Sequence, residues 1–229
     1  MPGGSRSTLV GVIPAAGYAR RLQPLTVSKE MLLVDGRPVV SYLVERIRAA
    51  KPDEIRLVTR SEKTDLVAWA AAEGIEVVLS EPPSVTASLL DGLQDVADDA
   101  IVLSGFPDTL WEPLDAFQRL ADEVRSGVEI ALGLFETNEP HRCDIVELDA
   151  NGAVARIVVK PTHPSGAITW GCLAARARAL RPMQGWAEPG QYFDSICNRI
   201  TTAGTRLAGR YIDIGTRESL ERVVARSEA

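Results

Sequence analysis

The chain has few of the residues from which disulfide frameworks and zinc sites are built. Its 229 residues include three cysteines and two histidines. Cys143, Cys172 and Cys197 are odd in number, scattered and without a C-x-x-C spacing, which argues against a disulfide framework or a zinc site. Because His141 and His163 are the only histidines, a histidine-rich metal centre is excluded as well.

Long apolar runs and an excess of positive charge are also missing. No apolar run approaches the roughly 18 residues that a membrane-spanning helix needs, and the initial MPGGSRST lacks the apolar stretch of a signal peptide. The formal net charge of −6 does not favour the basic face that nonspecific nucleic-acid binding requires. We therefore expect a cytoplasmic protein that binds neither membranes nor nucleic acid.

What the chain does contain is a regular alternation of short β-branched apolar runs with amphipathic stretches. With 45% hydrophobic residues, it is able to bury one sizeable core. The predicted strands of the first two thirds are LVGVI, IRLVT, IEVVL, AIVLS and VEIALGLF. Helical stretches separate them, which is typical of βα units. The sequence thus predicts an α/β fold with mostly parallel strands and ligands at their carboxyl ends.

After about residue 136 the pattern changes. Asn151 and Gly152 stand between the alternating runs DIVELD and AVARIVV, which predicts a β-hairpin. We further predict a strand at ITWGCLAA, a helix at PGQYFDSICNRITTAG, a strand at TRLAGRYIDI and a closing helix at TRESLERVVARSE. Thr216 is the expected N-cap of that closing helix. The sheet is therefore mixed, with a β-rich insertion.

The loop that follows the first predicted strand, PAAGYARRLQPLTVSKEMLL, concentrates small residues and cations. They are Ala15, Ala16, Gly17, Arg20, Arg21 and Lys29. Small residues let backbone N–H groups approach an oxyanion closely, while the cations neutralise several phosphate charges at once. The loop matches neither G-x-G-x-x-G nor the P-loop pattern. It predicts a triphosphate site of another kind.

Two acids follow predicted strands that lie far apart in the sequence. Asp108 comes just past AIVLS, and Asp213 ends a later apolar strand. Since Thr216 is the N-cap candidate, Asp213 is free for another task. Two carboxylates at strand ends of one α/β sheet are able to converge on Mg²⁺. Lys160 stands before a proline at another predicted strand end, where it is placed to hold a phosphate.

These segments, in order, resemble the sugar-1-phosphate nucleotidyltransferases, the group that includes glucose-1-phosphate thymidylyl- and uridylyltransferases. The resemblance spans nearly the whole chain, from AAGYARRLQPLTVSKEMLL through GFPDTLWEP and RCDIVELDANGAVARIVVKP to YIDIGTRESL. It implies a Rossmann-like sheet and Mg²⁺-dependent transfer of a nucleotidyl group from dTTP, UTP or CTP to a sugar phosphate, with release of pyrophosphate. We expect one domain over residues 1–229, with 1–135 binding the nucleotide and 136–229 binding the sugar phosphate. A homo-oligomer is compatible with the sequence.

The resemblance also implies roles for individual residues. The residues expected around the nucleotide are Ala15, Ala16, Gly17, Thr86 and Ala87, with Arg21 and Lys29 on its phosphates. Asp108 and Asp213 are expected to bind Mg²⁺, Lys160 to face the sugar phosphate, and Gly171 to face the sugar. Core burial is the first expectation for Trp111, Trp170 and Trp186, and Trp170, beside Gly171, is also a candidate for stacking in the pocket.

The chain departs from that family at several positions. Ala19 replaces the second glycine of the usual G-x-G-T-R-L loop, and because alanine tolerates φ > 0 poorly, we expect a different loop path. Val85 replaces the glycine of a G-T-A-type turn. On the sugar side, Asp144 replaces a glycine and Val159 replaces a glutamate that binds sugar hydroxyls. We therefore expect a shared reaction with an unusual acceptor at Asp144 and Val159.

Three other functions stay open. The first is a related cytidylyltransferase acting on a non-sugar phosphate or phosphonate, because the sugar-facing positions are those that differ. The second is a nucleotide-binding homologue that has lost turnover through Ala19 and through the interval from Arg21 to Lys29, which is two residues shorter than is common in that family. The third, a glycosyltransferase that uses a finished nucleotide sugar, requires a D-x-D arrangement after the fourth strand, where this chain has the single Asp108.

Overall fold

The computed structural model describes residues 7–221, and its central feature is a mixed β-sheet. The strands are β1 Leu9–Pro14, β2 Leu33–Val34, β3 Arg37–Pro38, β4 Glu54–Thr59, β5 Glu76–Leu79, β6 Ile101–Gly105, β7 Thr109–Leu110, β8 Ile130–Glu136, β9 Ile145–Leu148, β10 Val154–Val158, β11 Ile168–Arg176, β12 Thr202–Arg210 and β13 Ile212–Asp213. In the main sheet β1 lies between β4 and β6, and these strands run parallel. The predicted α/β class and mostly parallel sheet are confirmed.

Helices cover both faces of this sheet. They are α1 Val40–Ala49, α2 Thr64–Ala72, α3 Val85–Asp91, α4 Ala116–Arg125, α5 Ala177–Leu180 and α6 Pro189–Ile196. Alternate residues of β1 point to opposite faces, as the two-residue repeat of a strand requires. Leu9 and Ile13 pack into the core beneath α1 and α4, whereas Val10 and Val12 pack into the core on the side of α3 and α6. The end of β1 is thereby fixed in the centre of the molecule.

The later part of the chain joins the same sheet through β11. This strand pairs antiparallel with β6 and β9 along one edge and with β8 along the other. The predicted hairpin is confirmed as the antiparallel pair β9–β10. Its turn is closed by Asp149, whose Oδ1 accepts from the backbone N–H groups of Asn151 at 2.8 Å and Ala153 at 2.9 Å. Gly152 supplies the positive φ of +82° that such a turn favours.

The predictions for residues 189–214 are wrong in their boundaries. Helix α6 ends at Ile196, and Thr202 already begins β12, which pairs parallel with β8. The β-branched pair Thr201 and Thr202 suits a strand better than a helix. The single strand predicted for TRLAGRYIDI is two strands, because β13 leaves the main sheet and pairs with β7.

Two further helix predictions differ from the structure in extent. The stretch ASLLDGLQDVA is helical only as far as Asp91, while α3 begins earlier because the Ser84 hydroxyl accepts from the N–H of Ala87 at 3.1 Å. The closing helix is present over residues 217–221, and the rest of that prediction lies outside the described residues. Its N-cap is confirmed, since Thr216 Oγ1 accepts from the N–H of Ser219 at 3.3 Å.

The tryptophans divide between core and surface. Trp111 and Trp170 are buried, as predicted, whereas Trp186 is 39% exposed and the core prediction for it is wrong. Of the helices between residues 7 and 221, none combines the length and apolarity needed to cross a membrane.

Candidate active site

The loop after β1 emerges at the centre of the carboxyl edge of the sheet, next to the ends of β4 and β6. Ala15 and Ala16 are buried, and the chain becomes exposed from Gly17. A cleft opens beside this loop, which we call the cation cleft. It is lined by Tyr18, Arg20, Arg21, Lys29, Asp108 and Gly215, together with the backbone around Ala19. The cations of the predicted phosphate loop thus share one cleft with one of the predicted acids.

Ala19 has a φ of +51°. The expectation that alanine would avoid positive φ is therefore wrong, and the loop keeps a conformation that favours glycine. An L-residue other than glycine pays about 1–2 kcal/mol in this region.

We predict that Ala19→Gly raises the free energy of unfolding by about 0.5–1 kcal/mol. Relief of backbone strain exceeds the extra entropy that glycine gives the unfolded chain, about 0.4–1 kcal/mol. Denaturant unfolding measures the change. As a control, Ala71→Gly on the exposed face of α2 should destabilise by about 1 kcal/mol. Destabilisation by both variants would contradict a strained Ala19.

The structure brings Asp108 and Asp213 together despite their separation in sequence. Strand β13 pairs with β7 so that Asp213 lies opposite Thr109, and the N–H of Ile214 donates to the carbonyl of Asp108 at 3.0 Å. A Cβ built on Gly215 would stand 2.7 Å from Asp213 Oδ1 and 3.5 Å from Asp108 Oδ2. Both carboxylates therefore face the same small volume at the edge of the cation cleft.

The two acids have opposite electrostatic environments. Lys29 Nζ lies 2.7 Å from Asp108 Oδ2. Burial alone would raise the pKa of Asp108 and lower that of Lys29, but this ion pair reverses both directions. The pKa of Asp213 is raised, first by burial and then by the charge of Asp108, although the Gly215 N–H donates to Asp213 Oδ1 at 2.6 Å. Of the two carboxylates, Asp108 is thus the one whose charged form the site favours more.

Arg21 completes the positive side of the cleft. A Cβ built on Gly215 would lie 3.2 Å from Nη2 of Arg21. The Arg21 guanidinium therefore lies beside both acids. Arg20 is exposed, with its guanidinium carbon 5.6 Å from the ring centre of Tyr18. An anion in the cation cleft would meet guanidinium and ammonium groups from several directions.

A second cleft, the proline cleft, lies on the other side of the loop. Its lining includes Pro14, Gly17, Tyr18, Arg60, Glu81, Pro82, Pro83, Val85 and Ser88. The two residues predicted near the base lie on α3 at its rim. Thr86 is buried with its hydroxyl unpaired, and the N–H of Ala87 is bound to Ser84. Neither side chain lines this cleft, whereas Val85 and Ser88 do.

The structure groups Trp170, Val159 and Gly190 near Asp144, one of the residues predicted to bind the acceptor. Trp170 Nε1 donates to Asp144 Oδ2 at 3.2 Å. The other oxygen, Oδ1, is buried and has no hydrogen-bond partner, and burial raises the pKa of this carboxyl. Gly190 packs directly against Asp144 and Val159, where a Cβ would clash with the carboxylate. Gly171 packs against the ring of Tyr211.

Lys160 differs from its prediction. It lies two residues beyond the end of β10, with a φ of +41°, rather than at the strand end. Its ammonium group forms an ion pair of 2.6 Å with Glu188 and is half exposed. To bind a phosphate, Lys160 must exchange Glu188 for the ligand.

Sequence reasoning missed the charged residues beneath the phosphate loop. Glu30 is completely buried, and both of its oxygens lie 2.9 Å from Lys63 Nζ. Arg60, also buried, donates to the carbonyl of Ala16. Arg60 and Lys63 follow the apolar run IRLVT, so they occupy a strand end comparable to that of the first loop, and this position was the available signal.

The mostly parallel sheet and the small-residue loop at the end of its central strand define a Rossmann-like α/β protein. A family model described as "MobA-like NTP transferase domain" matches residues 11–188. The chain therefore belongs to the MobA-like NTP transferase family.

Curated proteins with similar sequences are named as nucleotidyltransferases. The chain is 27% identical over 163 residues to the "Low-salt glycan biosynthesis nucleotidyltransferase Agl11" of Haloferax volcanii, covering 67% of this chain and 45% of that protein. It is 26% identical over 161 residues to the glucose-1-phosphate thymidylyltransferase of Streptomyces antibioticus, with the same two shares. The chain thus spans less than half the length of these relatives.

Solved structures share the fold over almost the whole chain. A putative glucose-1-phosphate thymidylyltransferase from Bacillus anthracis, in complex with sucrose, superposes with a TM-score of 0.85 at 18% identity, covering 96% of this chain and 95% of that one. A UTP-bound UGPase from Acinetobacter baumannii gives a TM-score of 0.78 at 16% identity, with coverages of 96% and 93%. At these identities the likeness establishes the Rossmann-like nucleotidyltransferase fold.

Proposed function

We propose that the chain transfers a nucleotidyl group from a nucleoside triphosphate to a sugar 1-phosphate, which gives a nucleoside diphosphate sugar and pyrophosphate. The observation that carries the proposal is the convergence of Asp108 and Asp213 at the edge of a cleft lined by Arg20, Arg21 and Lys29. The family and the names of the relatives support it. These substrates suit a cytoplasmic enzyme. In this proposal residues 1–135 bind the nucleotide and residues 136–229 bind the acceptor.

The residues present fit a magnesium ion. Two carboxylates face one volume, and the charge of Asp108 contributes to the raised pKa of Asp213, a repulsion that a bound cation would relieve. Among residues 7–221 no three His, Cys, Asp or Glu side chains gather as a metal site, and Mg²⁺ is commonly held by one or two carboxylates plus substrate phosphates. Asp108 and Asp213 would hold it. Bound there, Mg²⁺ would neutralise charge on the reacting phosphates.

The chain's own groups supply positioning and charge. An oxygen of the acceptor phosphate attacks the α-phosphorus, the new P–O bond forms, and the bond to the leaving pyrophosphate breaks. Because that oxygen is already ionised at neutral pH, no protein nucleophile or strong base is needed. Arg21 and Lys29 stabilise the departing pyrophosphate. Lys160 releases Glu188 and aligns the attacking phosphate.

A substrate matrix tests the proposal. ATP, GTP, CTP, UTP and dTTP are each combined with a panel of sugar 1-phosphates, and pyrophosphate release is measured with Mg²⁺ and with a chelator. We expect Mg²⁺-dependent release with a pyrimidine nucleotide and at least one sugar phosphate. Absence of pyrophosphate from every combination, with wild-type protein that binds nucleotide, would favour a nucleotide-binding homologue without turnover.

A second candidate function is nucleotidyl transfer to a non-sugar phosphate or phosphonate. The observation that favours it is the acceptor side, where Asp144 presents a carboxylate oxygen without a partner and Val159 offers no hydrogen bond. Including 2-aminoethyl phosphate and 2-aminoethylphosphonate in the panel separates the two functions. Release with these acceptors and with no sugar phosphate would establish the second.

We predict that Asp144→Asn lowers kcat/KM for the preferred acceptor by about 10- to 100-fold and leaves the KM for the nucleotide unchanged. If the Asp144 carboxylate accepts a hydrogen bond from the acceptor substrate, removing its charge weakens binding of that substrate by about 1–3 kcal/mol. Steady-state kinetics with each substrate varied in turn measure the effect. Glu147→Gln, on the same hairpin and bonded to Ser165, is the matched control. A loss confined to the nucleotide would place Asp144 outside the acceptor site.

A further inference from the structure

Two buried cations lie beneath the phosphate loop and bind its backbone. Arg60, which is 4% exposed, donates from Nε to the carbonyl of Ala16 at 2.7 Å. Lys63 donates from Nζ to the carbonyl of Ala15, also at 2.7 Å. Both cations come from the segment that joins β4 to α2. Two successive carbonyl groups of the loop are therefore drawn toward the same side.

Holding these carbonyls fixes the direction of the next two N–H groups. In a trans peptide the C=O and the following N–H point in opposite directions, so the N–H groups of Ala16 and Gly17 point away from Arg60 and Lys63. Within the described chain neither N–H donates to a protein acceptor, whereas the N–H of Ala15 is bound to Val58. Successive free N–H groups form a concave site for an anion.

Further contacts keep each cation in place. Glu30 is fully buried and binds Lys63 with both oxygens at 2.9 Å, and it adjoins Lys29 in the chain. Arg60 also donates to the carbonyl of Pro82 at 3.3 Å and stacks 4.0 Å from the ring centre of Tyr18. Pro82, Tyr18 and Arg60 all line the proline cleft. Arg60 is thus held by two of its neighbours in that cleft.

We propose that Arg60 and Lys63 are positioning residues that aim the N–H groups of Ala16 and Gly17 at the polyphosphate of the nucleotide. They act through the loop backbone, and Glu30 holds Lys63 in position. This inference rests on the proposed function for the identity of the anion. It adds to that function an explanation of the loop conformation, because the residues that fix this conformation lie outside the loop.

The test measures anion binding directly, without an acceptor. The variants are Arg60→Gln and the double substitution Glu30→Gln with Lys63→Met, which removes the ammonium group without leaving a buried carboxylate unpaired. Calorimetry gives the Kd of inorganic tripolyphosphate, of the nucleoside triphosphate and of the matching nucleoside. Circular dichroism and thermal melting verify the fold. Arg48→Gln is the control, because its guanidinium also binds a backbone carbonyl, that of Glu73, away from the clefts.

We expect each positioning variant to raise the Kd of tripolyphosphate and of the nucleotide by about tenfold or more, with the nucleoside Kd within about twofold of wild type. Arg60→Lys, which restores one donor, should recover part of the loss. In kinetics, the KM for nucleotide should rise while the KM for the acceptor stays constant. Arg48→Gln should behave as wild type.

Other results overturn the inference in distinguishable ways. Folded variants that bind tripolyphosphate as tightly as wild type would show that the cations do not aim the loop donors, and the proposed function would still stand. Equal loss of nucleoside and tripolyphosphate binding would indicate a general structural role. If wild-type protein binds neither tripolyphosphate nor any nucleotide, the proposed function fails together with the inference.

Discussion

Asp213→Asn lowers the rate of pyrophosphate release by about 10²- to 10³-fold, the usual effect of removing one preorganised charged group from such a site. The variant should at the same time be at least as stable as wild type. Asp213 is partly buried beside Asp108. Desolvation and the charge of Asp108 both raise its pKa, so at neutral pH its charge costs folding free energy that the neutral side chain of asparagine does not. Turnover and denaturant unfolding, measured on the same preparation, check both parts.

Asp108→Asn should show the same loss of turnover with the opposite effect on stability. Its partner Lys29 is mostly buried, 18% exposed, at 2.7 Å, and without Asp108 its charge loses that neutralising contact. We expect a loss of about 1–3 kcal/mol in the free energy of unfolding. Asp98→Asn, on an exposed ion pair with Arg181, is the control for both acids and should change neither quantity. Near-normal turnover in both acid variants would remove them from the reaction.

Lys63→Met is expected to reduce the free energy of unfolding by about 3–5 kcal/mol, the typical result of leaving a buried charge unpaired. Glu30 is completely buried and both of its oxygens bind Lys63. Burial raises the pKa of Glu30, an effect that the charge of Lys63 opposes. Without Lys63, folding requires Glu30 either to take up a proton or to keep an uncompensated charge.

A double-mutant cycle isolates the interaction between Glu30 and Lys63 from the other contacts of the two residues. Glu30→Gln combined with Lys63→Met should regain most of the lost stability, because neither member of the pair is then left charged without its partner. Arg48→Met breaks an exposed pair with Glu73 and should cost less than about 1 kcal/mol. Urea unfolding, with the same m-value for all variants, measures the free energy of unfolding of each variant. If the single Lys63 variant is as stable as the Arg48 variant, the buried pair does not contribute as described.

The first part of the fold could be predicted from sequence because its signals are local. Each strand of the parallel half is a short apolar run bounded by a helix of amphipathic period, and its pairing follows from the βα order. The largest errors in the fold lie at residues 189–214, where structure depends on distant partners. Thr202 begins a strand because β8 is available beside it, and β13 separates from β12 because it pairs with β7.

The site shows the same division. The sequence predicts that Asp108 and Asp213 meet as strand ends of one sheet, but Asp213 reaches Asp108 because β13 leaves the main sheet and pairs with β7. The sequence identifies Ala19 as unusual, but it does not predict that Ala19 adopts a φ of +51°. The partner of Lys160 was hidden because Glu188 reaches it only through the placement of α6. Arg60 and Lys63 were missed because the carbonyls that they bind, those of Ala16 and Ala15, lie 44 and 48 residues away in the sequence.

The central claim is that this cleft joins a nucleotide to a phosphorylated acceptor with loss of pyrophosphate. Phosphorus NMR of the protein with Mg²⁺, a pyrimidine nucleoside triphosphate and a sugar 1-phosphate tests it most directly. The account predicts equal amounts of pyrophosphate and of a product with two coupled diphosphate resonances, both forming about 10²- to 10³-fold more slowly with Asp213→Asn. Orthophosphate as the product, or an unchanged nucleotide with every acceptor of the panel, would contradict it.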